Sequence, residues 1–395
     1  MLNSELLRSL LNRTVLFFQD SILQTIFMGR YGTDHTDNLM ELTEYRINKI
    51  ISLYIPPILL VIGTFGNAFA FLILRNKTMT RQSTNLFLAA LAVTDSIVLY
   101  FGLLRKWLVV LIGVDFASES KWLCRCVSVL SYTHSQFSAW LIIAVTIERY
   151  IVVSQPLHAS RFCNITRAKR VIMMLGTIFF LLNIHFMWTV TLAEKDTTGA
   201  TEFECDALPQ FKFLVSVVWP WIDAVLYAML PFVLIVIFNT LIIFQTIRAT
   251  SWRDDAQKGP MINMGKRKTY KDNNVKLTVM LLAVSFTYLV STFPMAIAMV
   301  FHDEWRRESV DQLPKEVFAQ RQLIRTVSEM LMFLNHSINF YLYCALGQKF
   351  RNQVVKTLCR RTFSNTSNLS DHSQHLYCSR VNGYHQHKSM DETAL

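Results

Sequence analysis

The sequence predicts an all-α membrane protein: a seven-transmembrane helix bundle followed by an eighth, amphipathic helix on the surface. Three observations lead there. The 395 residues are 52% hydrophobic and 17% charged, against roughly 25% charged residues in ordinary soluble chains, and the mean hydropathy is positive at +0.30. Seven stretches are each long enough to cross a hydrocarbon layer of about 30 Å, which takes about 20 apolar residues. The net charge of +11 collects in alternate loops. Nucleic acid is not an expected partner, because so apolar a chain has no soluble surface on which to present a basic patch.

Residues 1–51 form an extracellular N-terminal segment. No basic, apolar and small-residue succession opens it, so the first span is expected to act as a signal anchor. Asn12, in NRT, is the sequon open to glycosylation there. The bundle occupies 52–345, with spans at 52–74, 85–111, 123–153, 171–193, 213–247, 275–301 and 323–345. Arg105 and Lys106 fall near the end of span two, where long side chains snorkel to the interface. The loops after spans one, three and five carry Arg75, Lys77 and Arg81; Arg161, Arg167, Lys169 and Arg170; and Arg248, Arg253 and the run Lys266, Arg267, Lys268. The loop after span four instead holds Glu194, Asp196, Glu202, Glu204 and Asp206. Positive loops stay inside, which places the N-terminus outside the plasma membrane and the C-terminus in the cytoplasm.

Residues 346–360, including GQKFRNQVVKTLC, form the amphipathic eighth helix. Cys359 at its end suits S-palmitoylation beside the bilayer or stays an unmodified thiol. Residues 361–395 read as a disordered cytoplasmic tail whose serines and threonines are open to phosphorylation and arrestin-type partners. The final DETAL looks like a PDZ-domain ligand through Thr393 and Leu395.

An aspartate at the centre of a membrane helix costs about 2.5–3.5 kcal/mol on insertion scales, so polar residues in the spans need a reason. Asp95 lies mid-span in NLFLAALAVTDSIV, and Asn67, Ser138, Asn335, Ser337 and Asn339 lie at comparable depth. Convergent faces would gather them around one carboxylate. Hydrogen-bond glue between helices accounts for such a cluster. So does a small-cation or proton site, with sodium at Asp95 as an allosteric modulator and no other cofactor. Pro231 and Pro294 each remove a backbone donor inside a span and mark bends.

Cys124 opens span three on the outer side and Cys205 lies in the acidic outer loop, an oxidising setting in which a bridge persists. Cys126, two residues on, faces elsewhere on the helix and is expected to be free. At the far end of the same span, Glu148 and Arg149 stand side by side in LIIAVTIERYIVV. Both could snorkel to the headgroups; alternatively the acid holds the arginine in a resting state that activation releases.

The landmarks Gly66–Asn67, LAVTD ending at Asp95, WLC ending at Cys124, Glu148–Arg149–Tyr150, Pro231, Pro294, NFYLY at 339–343 and Phe350–Arg351 resemble the rhodopsin-like G-protein-coupled receptors over about 52–360. Their spacing supports the resemblance, since the residues from Cys124 to Arg149 make about 37 Å of helix and so cross the bilayer once. The departures are Thr292 in place of a tryptophan in span six, Phe340 in place of a proline in span seven, Asn239 in place of a tyrosine in span five and Gly176 near the usual tryptophan of span four. LLRKW, TIERYIVV and NHSINFYLYC are similar to invertebrate neuropeptide receptors of the FMRFamide and myosuppressin type.

The resemblance implies an extracellular ligand, a heterotrimeric G protein and no enzyme activity. No nucleophile with base and orienting group, zinc-ligand spacing or phosphate-cradling glycine loop occurs in the chain. Ser131 stands where amine receptors carry an aspartate, and span seven has no lysine for a Schiff base, so a monoamine or a retinal is not expected. The outer halves of the spans offer Arg105, Ser131, Tyr132, Asp223, Arg325 and Glu329. The two carboxylates suit an arginine side chain or an amidated peptide end, and an internal pair such as Arg105 with Glu329 is the plainer reading. At the inner end, Pro156 and Leu157 are expected to meet the G protein, Asn339 and Tyr343 to take part in activation, and Tyr343 to receive the released Arg149. Two rivals remain: an ion transporter or channel, for which no repeat is visible, and a decoy or scaffold that binds peptide without coupling.

Overall fold

The computed structural model describes residues 41–76, 79–80, 82–156, 158–197, 200–256, 264–307 and 314–364. Asn12, Leu157, Thr393, Leu395 and the tail serines after Ser364 lie outside them. Helix α1 is Thr43–Leu74, α2 Ser83–Ile112, α3 Lys121–Ser154 and α4 Ile165–Thr189. α5 is apolar over Leu214–Arg248 and runs on to Ala256; α6 is Met264–Arg307 and α7 Lys315–Leu346. After Gly347 the chain turns into α8, Gln348–Ser364. α1 packs between α2 and α7, α3 against α2, α4 and α5, and α6 against α7 and α5, which closes the bundle.

The surface is sorted for lipid. Val61, Phe65, Met173, Leu181, Phe244 and Phe286 are exposed, while Asn67, Asp95, Ser138, Asn335, His336 and Asn339 are buried. A hydrocarbon solvent favours this arrangement, because inward polar groups can satisfy one another. Among the described residues, six helices are long and apolar enough to cross a membrane, α1 to α6. α7 has the length, at 32 residues, but carries Lys315, Glu316, Arg321, Arg325 and Glu329 in its first half and a polar inner face beyond. That face is turned inward, with Ser328, Glu329, Asn335, His336, Ser337 and Asn339 all buried.

Local chemistry sets the irregularities. A wide turn with i→i+5 bonding occupies Leu99–Leu104 in α2, and two more occupy Leu214–Val218 and Ala224–Met229 in α5. Pro231 follows the last of these and lacks an N–H, which frees the carbonyl four residues back, that of Tyr227. The Tyr288 hydroxyl of α6 donates to that oxygen. α2 ends at Gly113 with φ of 71°, a left-handed conformation that glycine adopts without Cβ strain. Cys344 and Ala345, whose carbonyls are left open at the end of α7, accept from the Arg351 guanidinium at 3.0 and 2.5 Å, and Phe350 packs on Tyr343 and Phe340.

The expected fourth span, 171–193, starts and ends too late. Val190–Thr197 is strand β1, paired antiparallel with β2, Ala200–Ala207, in a register that sets Leu192 opposite Cys205. The acidic loop is therefore a hairpin, and its first strand packs against α3.

α1 and α7 meet at Gly63, where a Cβ would stand 2.4 Å from the Leu99 side chain and 3.2 Å from the Ser337 backbone. Gly63→Val is accordingly expected to destabilise the purified protein by about 1–3 kcal/mol through overpacking, read as a lower thermal unfolding midpoint; an unchanged midpoint would show that the helices can part there freely.

Candidate functional site

A cleft of about 350 Å³ opens among α2, α3, α5, α6 and α7. Its polar lining consists of Lys106, Ser131, Tyr132, Ser135, Asp223, Tyr227, Arg325 and Glu329, and its apolar wall includes Val98, Gly102, Met295, Ala298, Met332 and Phe333. Ser131 lies seven residues, about 10 Å of helix, inward of Cys124. Cys124 is bridged to Cys205, so the hairpin is pinned to α3 at the same end of the bundle. Beneath it the Tyr132 ring stacks on Phe186 at 4.8 Å, and Trp219 meets both edge-on.

Arg105 is corrected by the structure. It does not line the cleft and does not pair with Glu329; its Nε and one terminal nitrogen donate to both oxygens of Asp115 at 2.7 and 2.8 Å. Burial alone would raise the Asp115 carboxyl, but the Arg105 guanidinium, together with the Ala117 amide and the Ser118 hydroxyl, more than offsets it and holds the group below its ordinary value. Glu329 is instead met by Lys106 at 2.8 Å and Arg325 at 3.2 Å. The wide turn of α2 is the cause. It holds more residues per turn than the usual 3.6, so Val98, Gly102 and Lys106 stay in line on the cleft side while Arg105 turns to Asp115.

Asp223 has different company. It is buried, and the hydrogen bond to it comes from the Gln136 amide at 2.8 Å; Gln136 is itself held by Asn183 of α4 at 2.8 Å. Neither Gln136 nor Asn183 was picked out from the sequence, since isolated amides inside apolar runs have no spacing signal.

Deeper in the bundle, Asp95 is wholly buried. Ser138 and the imidazole of His336 approach its Oδ1 at 2.7 and 2.8 Å, and the Asn339 amide donates to Oδ2 at 2.8 Å. The other expected members stand off: Asn67 donates to the backbone oxygen of His336, Ser337 to that of Phe333, and the amide atoms of Asn335 are buried without a partner. Sequence reasoning missed His336, although NHSIN placed it beside three residues it did select.

At the opposite end of α3 from the bridge, Glu148 accepts from the hydroxyls of Ser83 and, at 2.7 Å, Thr84 of α2. Arg149 donates to the same Thr84 hydroxyl and lies 3.9 Å from the Glu148 carboxylate. One hydroxyl thus bridges acid and base, both buried. Tyr150 packs its ring on Phe238 of α5, and Pro156 is exposed in the turn that follows. The nearby Cys163 thiol, which donates to the Glu148 backbone oxygen, is pushed up to about 11 by burial and then by the Glu148 charge.

The model of the rhodopsin family of seven-transmembrane receptors matches residues 66–343. The chain belongs to that family. This removes the transporter reading and any enzyme reading: the protein is a multi-pass membrane receptor. It is similar to the growth hormone secretagogue receptor type 1 of Rattus norvegicus, 26% identical over 80% of this chain and 83% of that receptor. It is also similar to the thyrotropin-releasing hormone receptor of Gallus gallus, 25% identical over 82% and 83%, and to the probable G-protein coupled receptor B0563.6 of Caenorhabditis elegans, 22% identical over 78% and 70%.

The departures of this rhodopsin-family receptor are absorbed by packing. Phe340 sits among Phe69, Tyr341 and Phe350 on a helix that runs unbroken to Leu346. Thr292 is buried and bonds back to Tyr288 of its own helix. Asn239 is bonded to Ser285 of α6 at 2.9 Å, so it ties α5 to α6 and is not placed to receive Arg149. Tyr343 is buried against Phe350.

Proposed function

We propose that the receptor binds an extracellular peptide in the cleft beneath the hairpin and activates a heterotrimeric G protein at the Glu148–Arg149 end. The N-terminus is then outside and the C-terminus cytoplasmic, in keeping with the basic loops. The peptide reading draws on the similarity to two receptors named for peptide hormones and on the polar, mixed-charge cleft. The observation that carries the ligand's chemistry is the contrast between the two carboxylates. Glu329 already has two cations, Lys106 and Arg325, whereas Asp223 is met by an amide. A buried carboxylate of the second kind gains most from an incoming cation or strong donor. An arginine side chain of the peptide, or its amidated end, fits at Asp223, with Tyr132 and Trp221 alongside.

Activation is a population shift, limited by the peptide's differential affinity for the two bundle packings. Arrestin-type and PDZ-domain partners belong to the tail, with Thr393 and Leu395 at its end, and S-palmitoylation to Cys359 on the last turns of α8.

The test is a screen of amidated peptides in cells expressing the receptor, read by calcium and cyclic-nucleotide signals. For an active arginine-containing peptide, Asp223→Asn is expected to lower potency about 10- to 150-fold, the worth of a charged hydrogen bond of 1.5–3 kcal/mol, and Glu329→Gln less. Equal losses would move the cation site to both carboxylates. Binding without any signal would make the protein a decoy.

A further inference from the structure

The Asp95 centre does not suit a bound sodium ion, and the reason lies in its donor set. A hard cation needs oxygen lone pairs turned toward it. Here the carboxylate is enclosed by hydrogen-bond donors: the Ser138 hydroxyl and a ring nitrogen on Oδ1, an amide nitrogen on Oδ2. Their positive ends occupy three of the carboxylate's roughly four acceptor directions, both of those on Oδ1 included. His336 is 1% exposed and Asp95 0%, so the ring is enclosed with the acid and is not a surface side chain that swings aside.

The far side of the same ring faces the ligand cleft. Nε2 of His336 lies 3.5 Å from the Tyr227 hydroxyl. With the Nδ1 proton given to Asp95, Nε2 is free to accept that of Tyr227. Tyr227 lines the cleft four residues along α5 from Asp223, and its carbonyl is the one that Pro231 frees and Tyr288 of α6 holds. One imidazole therefore joins α2, α5 and α7, and through Tyr227 it reaches α6.

We propose that His336 stands in this receptor where a cation would sit at Asp95, and that it links the cleft floor at Tyr227 directly to the polar centre of the bundle. A mobile ion would leave those two places connected only through solvent; a side chain fixed to α7 makes a shift of α5 at Tyr227 a shift in the Asp95 contacts. The receptor's resting equilibrium is then set by its own chain and is indifferent to ambient sodium.

Thermal unfolding of the purified full-length receptor, without ligand, tests this independently of the proposed peptide function. Wild type is expected to unfold at the same temperature in sodium chloride and in an organic-cation chloride of equal ionic strength. His336→Ser, which opens space and leaves an oxygen, should unfold lower in the organic cation and recover about 1 °C in sodium, the shift that goes with about 1 kcal/mol in a chain of this size. His336→Ser combined with Asp95→Asn should recover nothing. If His336→Ser does not fold, His336→Asn runs through the same comparison. Sodium stabilisation of the wild type that Asp95→Asn removes would overturn the proposal, as would a His336 variant that ignores sodium. For the link, the loss caused by Tyr227→Phe should disappear in the His336→Ser background; simple addition of the two losses would refute it.

Discussion

Cys124→Ala and Cys205→Ala are each expected to abolish peptide binding and sharply reduce surface display. The bridge closes 81 residues, for which chain entropy alone gives about 4.5 kcal/mol. The bilayer, however, already restrains α3 and α4 within that loop, so the slack that the bridge removes belongs mostly to the hairpin. An effect of about 2–4 kcal/mol follows, the usual range for native bridges, and it falls on one place. β1 and β2 lean on Phe186, Trp219 and Tyr132 through Val190, Leu192 and Cys205. Freed from α3, the hairpin loses its fixed height above the cleft, and the ring stack loses its cover. The double variant should be no worse than either single one, because both remove the same bond. Cys126→Ser should be neutral, since Cys126 is an exposed free thiol. Normal peptide binding by either alanine variant, measured beside surface antibody staining, would mean that the hairpin needs no tether.

What was legible in the sequence was whatever hydropathy and landmark spacing encode. Long apolar runs gave the spans, and Cys124, Asp95 and Arg149 could be ranked by depth because a helix rises evenly. Facing was harder to read. Arg105 and Lys106 are adjacent and equally charged, and only the wide turn at Leu99–Leu104 decides which enters the cleft; such a turn is a compromise of packing with no residue signature of its own. The same limit hid the partners of the charged groups. Ser83 and Thr84 look like ordinary helix-start residues, and Gln136 and Asn183 like stray amides, until α2, α3, α4 and α5 are side by side. The hairpin was missed because VTLAEKDT continues the apolar character of α4 for several residues before it begins to alternate. His336 was passed over because histidine in a span reads equally as core or as function, and its role depends on Asp95, 241 positions away.

Those missed hydroxyls govern the second large effect: Glu148→Gln is expected to raise ligand-free signalling about 5- to 30-fold, the population shift that accompanies 1–2 kcal/mol. In the resting bundle Glu148 is held by Ser83 and Thr84 and lies 3.9 Å from the Arg149 guanidinium. Removing the charge leaves Arg149 buried without a counter-ion, which costs about 3–5 kcal/mol when nothing compensates. Here the loss is partial, because the guanidinium keeps the Thr84 hydroxyl and the glutamine carbonyl can still accept from Ser83. The residual penalty applies to the closed packing and not to an open one in which Arg149 reaches solvent or a partner, so the equilibrium moves toward signalling. Because the Thr84 hydroxyl serves acid and base at once, Thr84→Val should act in the same direction although it changes no charge. A latch formed within α3 alone would be untouched by that substitution. Basal activity that stays flat in both variants, at wild-type surface levels, would mean that the pair is a structural contact between α2 and α3 with no part in the resting state.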